Sequence, residues 1–179
     1  MAAWIAPEPG VGPDDPTSDE NVAVLDLRQE PALGSLAGAH WSRFDLTGLA
    51  LSGSDLTGLY IETCTLSAAT LDHCHLVRAH IVDSRMVGAD LTGSDLSGAV
   101  LVNVDLQRAD LRGALLNGTV LVFCDLRGAL LDGADCSTTV WSHTDLRGVD
   151  LSGAVLAGAR GDFYWDDTTA WPGRSDAGN

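Results

Sequence analysis

The segment DHCHLVRAH, from Asp72 to His80, concentrates the residue types that bind zinc. A zinc site needs three or four such ligands that converge on one point. The segment belongs to a five-residue repeat, in which we expect Cys74 to point inward, His75 outward and His73 toward a corner. Because these side chains diverge, we predict a column of stacked Asp and His residues here and no metal site.

No other motif in the sequence is typical of catalysis. There is no nucleophile elbow, phosphate-binding loop, HExxH motif or dinucleotide fingerprint. The aspartates recur at regular intervals, which favours solvated ladders over a paired general acid and base. The cysteines form no CxxC pair and have the spacing of small buried residues; they are Cys64, Cys74, Cys124 and Cys136. We therefore predict that the protein is not an enzyme and holds neither a metal nor a cofactor.

An apolar residue recurs at every fifth position from Leu36 to Leu156. We call this central residue i. All 25 central positions are Leu or Ile except Trp41, Met86, Cys136 and Trp141. Position i−2 is usually small, Asp fills position i−1 ten times, and Gly often stands at i+2. A period of five fits neither a helix nor a half-buried strand, so it predicts a solenoid whose backbone turns once per repeat.

The stretches ADLTGSDLSGAVL (Ala89 to Leu101) and ADLRGALLNG (Ala109 to Gly118) resemble the motif of the pentapeptide-repeat family. In that motif a small residue, Asp or Asn, and Leu or Phe are followed by two variable positions. The resemblance implies an all-β fold, a right-handed quadrilateral parallel β-helix in which four repeats make one coil. The repeats then form about six coils, and a strand spacing of ~4.8 Å makes the rod roughly 30 Å long.

We divide the chain into three parts. Residues 1–24 are rich in proline and acids and are expected to be a disordered tail. Residues 25–160 are expected to form the solenoid, and NVAVLDL (Asn21 to Leu27) is a candidate strand that caps its first coil. Residues 161–179 are expected to be an aromatic cap and tail, with the repeat phase ending at Gly161 and the aromatic side chains lying over the last coil.

The charge of the chain limits its partners. The formal net charge is −15, and all ten basic residues are Arg. An acidic surface repels nucleic acid and anionic membranes, so we expect neither as a direct ligand. The sequence has no segment typical of a signal peptide and no long apolar run, so we expect a cytoplasmic protein.

Residues one coil apart stack into columns, which lets the four faces of the coil be considered separately. Three faces are expected to be polar, with Gly at most corners. The fourth face is centred on Trp41, Ile61, Ile81, Leu101, Leu121 and Trp141, and its corners never carry Gly. It also carries outward apolar residues, which we call the apolar patch: Val82, Val100, Val102, Val120, Val122 and Phe123. We interpret the patch as a homodimer interface, a partner site or a surface covered by the N-terminal tail, in preference to a simple effect of valine's β-propensity.

Two functions follow as hypotheses. The family resemblance implies an acidic rod that imitates DNA, binds DNA gyrase and protects it from fluoroquinolones, as some members of the family do. Its candidate contacts are Asp90, Asp105, Asp110, Asp125 and Asp145. The alternative is a scaffold or oligomerisation module that uses the apolar patch. The two differ in salt dependence, because charge mimicry is screened by salt and an apolar interface is not.

Overall fold

The computed structural model of the protein describes residues 36–173. The expected tail, the candidate strand from Asn21 to Leu27 and residues 174–179 lie outside the described residues. Seven strands form one parallel sheet in chain order. They are β1 (His40–Ser42), β2 (Tyr60–Glu62), β3 (His80–Val82), β4 (Val100–Val102), β5 (Val120–Val122), β6 (Val140–Asp145) and β7 (Arg160–Tyr164). The described residues contain no helix, and none of them could therefore cross a membrane as a helix.

Stacked coils of four repeats build the molecule, which confirms the predicted β-solenoid. Trp41 pairs with Ile61 and Ile61 with Ile81, so the register advances by one coil from strand to strand. On the other three faces the coils meet through single parallel bridges, such as Asp45 to Thr65. The sheet strands β1 to β5 all lie on the fourth face, where β-branched residues flank the central position.

The core runs along the axis of the rod. Every central residue from Trp41 to Leu151 is at most 5% exposed. Most of the i−2 positions are also buried, and most hydroxyl groups at these positions donate hydrogen bonds to backbone carbonyls of the coil before. Thr119 Oγ1, for example, donates to the carbonyl of Leu96 at 2.8 Å. The four cysteines are buried and free, in agreement with their interpretation as small core residues.

A tight turn follows each central residue, and it requires the left-handed backbone conformation at i+2. Every i+2 residue from Gly38 to Gly148 has a positive φ. Glycine adopts this conformation without strain. The corners that follow β1 to β5, and the equivalent corner within β6, have no glycine and still have φ values between 48° and 60°; they are Arg43, Thr63, Asp83, Asn103, Phe123 and His143.

The coils continue beyond the boundary that we expected at residue 160. β7 pairs with β6, but the register shifts between Ser142 and Thr144, so that Phe163 lies opposite Thr144. The five-residue phase returns at Ala170, which bridges to Asp150. Residues 160–171 therefore make a seventh, partial coil. Its two core-facing aromatic residues, Phe163 and Trp171, pack on the hydrophobic core with their ring centroids 5.6 Å apart.

Candidate protein-interaction surfaces

The six residues of the apolar patch lie together on the face that carries the sheet strands. Val102 pairs with Val82 on one side and with Val122 on the other, and Val100 pairs with Val120. The valines are half-buried by their neighbours, whereas Phe123 is 59% exposed. The predicted cluster therefore exists as a continuous strip across β3, β4 and β5. Each strand contributes three residues, so the strip is roughly 10 Å wide.

Phe123 has a backbone conformation that its residue type disfavours. Its φ is 54°, and a bulky residue at positive φ is a genuine outlier. The neighbouring corners carry Asp83, Asn103 and His143, which are residue types that tolerate this conformation better. The Phe123 ring contacts that of His143, with centroids 4.9 Å apart, and does not enter the core. Core packing therefore does not explain why a phenylalanine stands here.

The aspartates at position i−1 have a structural role in the turns. Each of the ten accepts a hydrogen bond on its carboxylate from the backbone N–H at i+1, as Asp90 does from Thr92 at 3.0 Å. An aspartate that bonds the backbone two residues ahead stabilises a turn. The recurrence of Asp along the rod is thus explained by turn formation. By itself it does not indicate mimicry of DNA.

Arginines pair with four of the five proposed DNA-mimicking aspartates, loosely at Asp105, where Arg85 Nε lies 3.9 Å from Oδ2, and closely at the other three. Asp110, Asp125 and Asp145 each accept hydrogen bonds from the arginine two residues ahead, with Nη2–Oδ2 distances of 2.6 Å in all three pairs. The Arg112 guanidinium holds the pKa of Asp110 below its usual range, mainly through the side-chain hydrogen bond. Arg147 lowers the pKa of Asp145 in the same way. The triplet Asp-Leu-Arg is the sequence signal of this pairing, and the sequence-based prediction of these contacts overlooked it.

The five proposed aspartates fall on two different faces. Asp105, Asp125 and Asp145 lie on the face centred on Leu46 to Leu146, which we call the neutral face. Its formal charges cancel, counting its corner residues: Asp45, Asp105, Asp125 and Asp145 against Arg85, Arg108, Arg127 and Arg147. Asp90 and Asp110 lie on the next face, centred on Leu51 to Leu151.

We call this next face the acidic face, because five carboxylates oppose a single Arg112 there. The carboxylates are those of Asp72, Asp90, Asp110, Asp132 and Asp150. Successive repeats visit the four faces in turn, and the acidic face comes two repeats after the face of the apolar patch. The two surfaces therefore lie on opposite sides of the rod, and one partner surface of ordinary curvature cannot cover both.

A groove that was not predicted from the sequence lies at the C-terminal end of the corner between the patch and the neutral face. We call it the aromatic groove; it is open to solvent and has a volume of about 770 Å³. It is lined by Phe123, His143, Phe163, Tyr164 and Trp165 and by the charged side chains of Asp125, Asp145 and Arg147. The sequence signal is the aromatic run after Gly161. The sequence does not indicate that Tyr164 and Trp165 are exposed, because their exposure depends on the register shift between β6 and β7.

The histidine segment forms a column and not a cluster. His75 bridges to Asp55 in one neighbouring coil and to Asp95 in the other, in the arrangement expected from the repeat phase. Within residues 36–173 no group of three or more His, Cys, Asp or Glu side chains could hold a metal ion.

The regularity of the coils agrees with a comparison of the sequence against known families. The family model described as pentapeptide repeats matches residues 62–98, 94–133 and 129–160, in 8 copies. These segments span more than half of the 179 residues. The chain belongs to the pentapeptide-repeat family. Among curated proteins, none matches the chain significantly.

Several solved structures of pentapeptide-repeat proteins are similar to the chain. Rfr23 from the cyanobacterium Cyanothece 51142 is 31% identical, with a TM-score of 0.46 over 54% of this chain and 63% of that one. The match thus spans less than two thirds of Rfr23. HetL from Nostoc sp. strain PCC 7120, a protein involved in heterocyst differentiation regulation, is 25% identical, with a TM-score of 0.28 over 79% of this chain and 86% of HetL. QnrB1, a plasmid-mediated fluoroquinolone resistance protein, is 20% identical, with a TM-score of 0.32 over 69% of this chain and 80% of that one.

Proposed function

We propose that this pentapeptide-repeat protein is a non-catalytic interaction module that binds another protein through the apolar patch. The observation that carries the proposal is the continuous strip of outward valines across β3, β4 and β5, which ends at the exposed Phe123. Contiguous apolar surface on a soluble protein marks interaction sites. The chain is otherwise acidic and polar on most of its outward positions, so the strip is a departure from the repeat.

The dimensions of the strip favour a different protein over a second copy of this chain. The strip covers three strands, and even the whole strand face is only roughly 10 Å wide and 30 Å long, or about 300 Å² of flat area. A stable interface buries about 800 Å² per partner. Two copies that met only through these flat strips would fall well short of that area. A partner that also encloses the corners, including Phe123, can reach it.

A photo-crosslinking residue placed at Val102 tests the proposal in cells that express the protein. Its matched control is the same residue at Leu115, which is 42% exposed on another face. We expect a discrete adduct from position 102, none from position 115, and a loss of the adduct when Val100→Thr and Val120→Thr are combined. These substitutions preserve shape and β-branching. Equal adducts from both positions would overturn the proposal.

The association state separates a different partner from self-association. We expect sedimentation of the purified protein to show a monomer at roughly 100 μM, as the area comparison requires. A dimer that dissociates in the Val100→Thr, Val120→Thr variant would replace the different partner with a second copy of this chain.

The second candidate function is charge mimicry of DNA toward gyrase, and the excess of carboxylates on the acidic face favours it. The magnitude of the charge does not. Duplex DNA carries about 18 charges over 30 Å of axis. The solenoid residues 36–158 carry 14 acids and 7 Arg, a net charge of −7 over a similar length. We therefore place gyrase second, as a partner to be tested directly.

Gyrase supercoiling and quinolone-induced cleavage, measured at two salt concentrations, test this candidate. Asp72→Asn combined with Asp132→Asn removes two charges from the acidic face at positions that do not form the i−1 turn bonds. Glu62→Gln with Asp83→Asn removes two charges from the opposite side as the control. Charge mimicry predicts inhibition that weakens with salt and in the first variant only. No effect at micromolar protein would exclude gyrase as the partner.

A further inference from the structure

The aromatic groove exposes three large aromatic side chains in one concavity. Phe123 is 59% exposed, Tyr164 56% and Trp165 51%. Trp165 is held edge-on against Trp171, with ring centroids 6.2 Å apart, and Trp171 in turn packs on the core. Trp165 is therefore supported by a ring that itself packs on the core.

Fold stability does not account for these outward rings. Phe123 occupies a left-handed corner, a conformation that costs about 1–2 kcal/mol in a residue with a Cβ. Tyr164 and Trp165 point outward because of the register shift between β6 and β7, which puts Phe163 in the inward position. Two independent departures from the repeat thus bring aromatic side chains to one place.

The chemistry of the groove fits an extended proline-containing peptide. Such segments adopt the polyproline II conformation and dock on grooves lined with aromatic side chains, because the preformed helix loses little entropy on binding. A segment in the polyproline II conformation has no internal hydrogen bonds, so its backbone carbonyls remain available as acceptors. The Tyr164 hydroxyl and the Trp165 indole N–H are donors that can satisfy them.

The charges around the groove select basic residues in that peptide. Four carboxylates and two guanidinium groups lie in or beside the groove: Asp125, Asp145, Asp162 and Asp166 with Arg127 and Arg147. Both arginines already donate to Asp125 or Asp145, so these four charges neutralise one another, and the carboxylates that no arginine balances are those of Asp162 and Asp166. The protein's own proline segment, APEPGVGPDDP (Ala6 to Pro16), is acidic and does not match this surface.

We propose that the aromatic groove binds an extended, proline-containing protein segment with flanking basic side chains. The proposal rests on the assignment of the protein as an interaction module but not on the apolar patch, which has a different occupant. Phe123 is the residue that the two surfaces share, whereas Tyr164 and Trp165 belong to the groove alone.

Calorimetric titration of the full-length protein tests the proposal with two synthetic peptides. The first has six prolines flanked by two arginines on each side, and the second is the protein's own Ala6–Pro16 sequence. We expect saturable binding of the first peptide and at least tenfold weaker binding of the second. Absence of binding by the arginine-flanked peptide, or equal affinity for both, would overturn the proposal. Saturable binding of a neutral oligosaccharide in its place would assign the groove to sugars.

Variants show where the peptide binds and test the groove independently of the apolar patch. Tyr164→Ser and Trp165→Ser should each weaken binding of the arginine-flanked peptide at least tenfold. Leu115→Ser removes an exposed apolar side chain on another face and should leave the affinity unchanged. Val100→Thr with Val120→Thr should also leave it unchanged, even where crosslinking from Val102 is lost. An unaltered affinity in both groove variants, with unfolding temperatures like that of the wild type, would place the peptide elsewhere.

Discussion

Phe123 shows how one residue can serve recognition at a cost to stability. We predict that Phe123→Asn, which copies the corner residue Asn103 one coil earlier, raises the free energy of unfolding by about 1 kcal/mol, because Asn tolerates the left-handed conformation. Urea unfolding measures the change. The same variant should weaken binding at both the apolar patch and the aromatic groove. Leu121→Ala is the reference for a residue that does pack in the core, and it should destabilise the protein by about 2–5 kcal/mol. A loss of that size in Phe123→Asn would mean that the Phe123 ring contributes to packing.

The cysteines illustrate a second property of single residues, the suppression of reactivity by burial. Desolvation raises the pKa of the Cys124 thiol to about 11 and that of Cys136 to about 12. Since the thiolate is the reactive form, we predict that none of the four thiols reacts with a disulfide reagent at pH 8 in the folded protein. All four should react after unfolding in guanidinium chloride. Rapid reaction of Cys64 or Cys74 in the native state would show that the first coils open locally.

At the scale of the turn, the Asp-Leu-Arg units make stability depend on acid pH. Arg112 and Arg147 lower the folded-state pKa of Asp110 and Asp145 through hydrogen bonds. A lowered pKa contributes stability that is complete above the unfolded value near 4 and is lost as the pH falls through the lower folded value. We predict a constant unfolding temperature between pH 8 and 5 and a decrease below pH 4. Arg147→Gln should reduce the size of that decrease, and at pH 7 it should change stability little, because solvent screens an ion pair on the surface.

The last strand depends on one glycine. Gly161 has a φ of 134°, and a Cβ on it would lie 1.7 Å from the backbone oxygen of Trp141. We predict that Gly161→Ala separates β7 from β6 and destabilises the protein by more than about 2 kcal/mol, as overpacking against a rigid neighbour does, with exposure of Trp171 that is visible by tryptophan fluorescence. Gly113→Ala is the matched control, because it has positive φ but no atom within 4 Å of the added Cβ. The control should cost about 1 kcal/mol, the strain alone.

The sequence predicted the regular parts of the molecule and missed those that depend on contacts between specific side chains. A five-residue period determines which residues face inward, so the core, the coil length and the valine strip on β3 to β5 follow from the period alone. The neutralisation of Asp125 and Asp145 depends on arginine side chains folding back by two residues, which the period does not describe. The register shift at Thr144 could not be predicted from the sequence, because a short irregular segment has no repeat that fixes its register. The aromatic groove depends on that shift.

Stability should vary along the rod, because each coil of a solenoid contacts only its neighbours. The interior strands β4 and β5 are paired on both sides, whereas within residues 36–173 β7 pairs with β6 alone and its residues are mostly exposed. We predict that amides of β4 and β5 exchange with solvent only through global unfolding, and that those of β7 exchange faster through local opening.

Tyr164 and Trp165 stand on this weakly held coil, while Phe123 stands on the stable part of the rod. A peptide that bridges them must therefore hold β7 in place. Hydrogen-exchange mass spectrometry should show that the arginine-flanked proline peptide slows exchange in residues 160–165 and leaves β4 unchanged; unaltered exchange at saturating peptide would contradict binding across the groove.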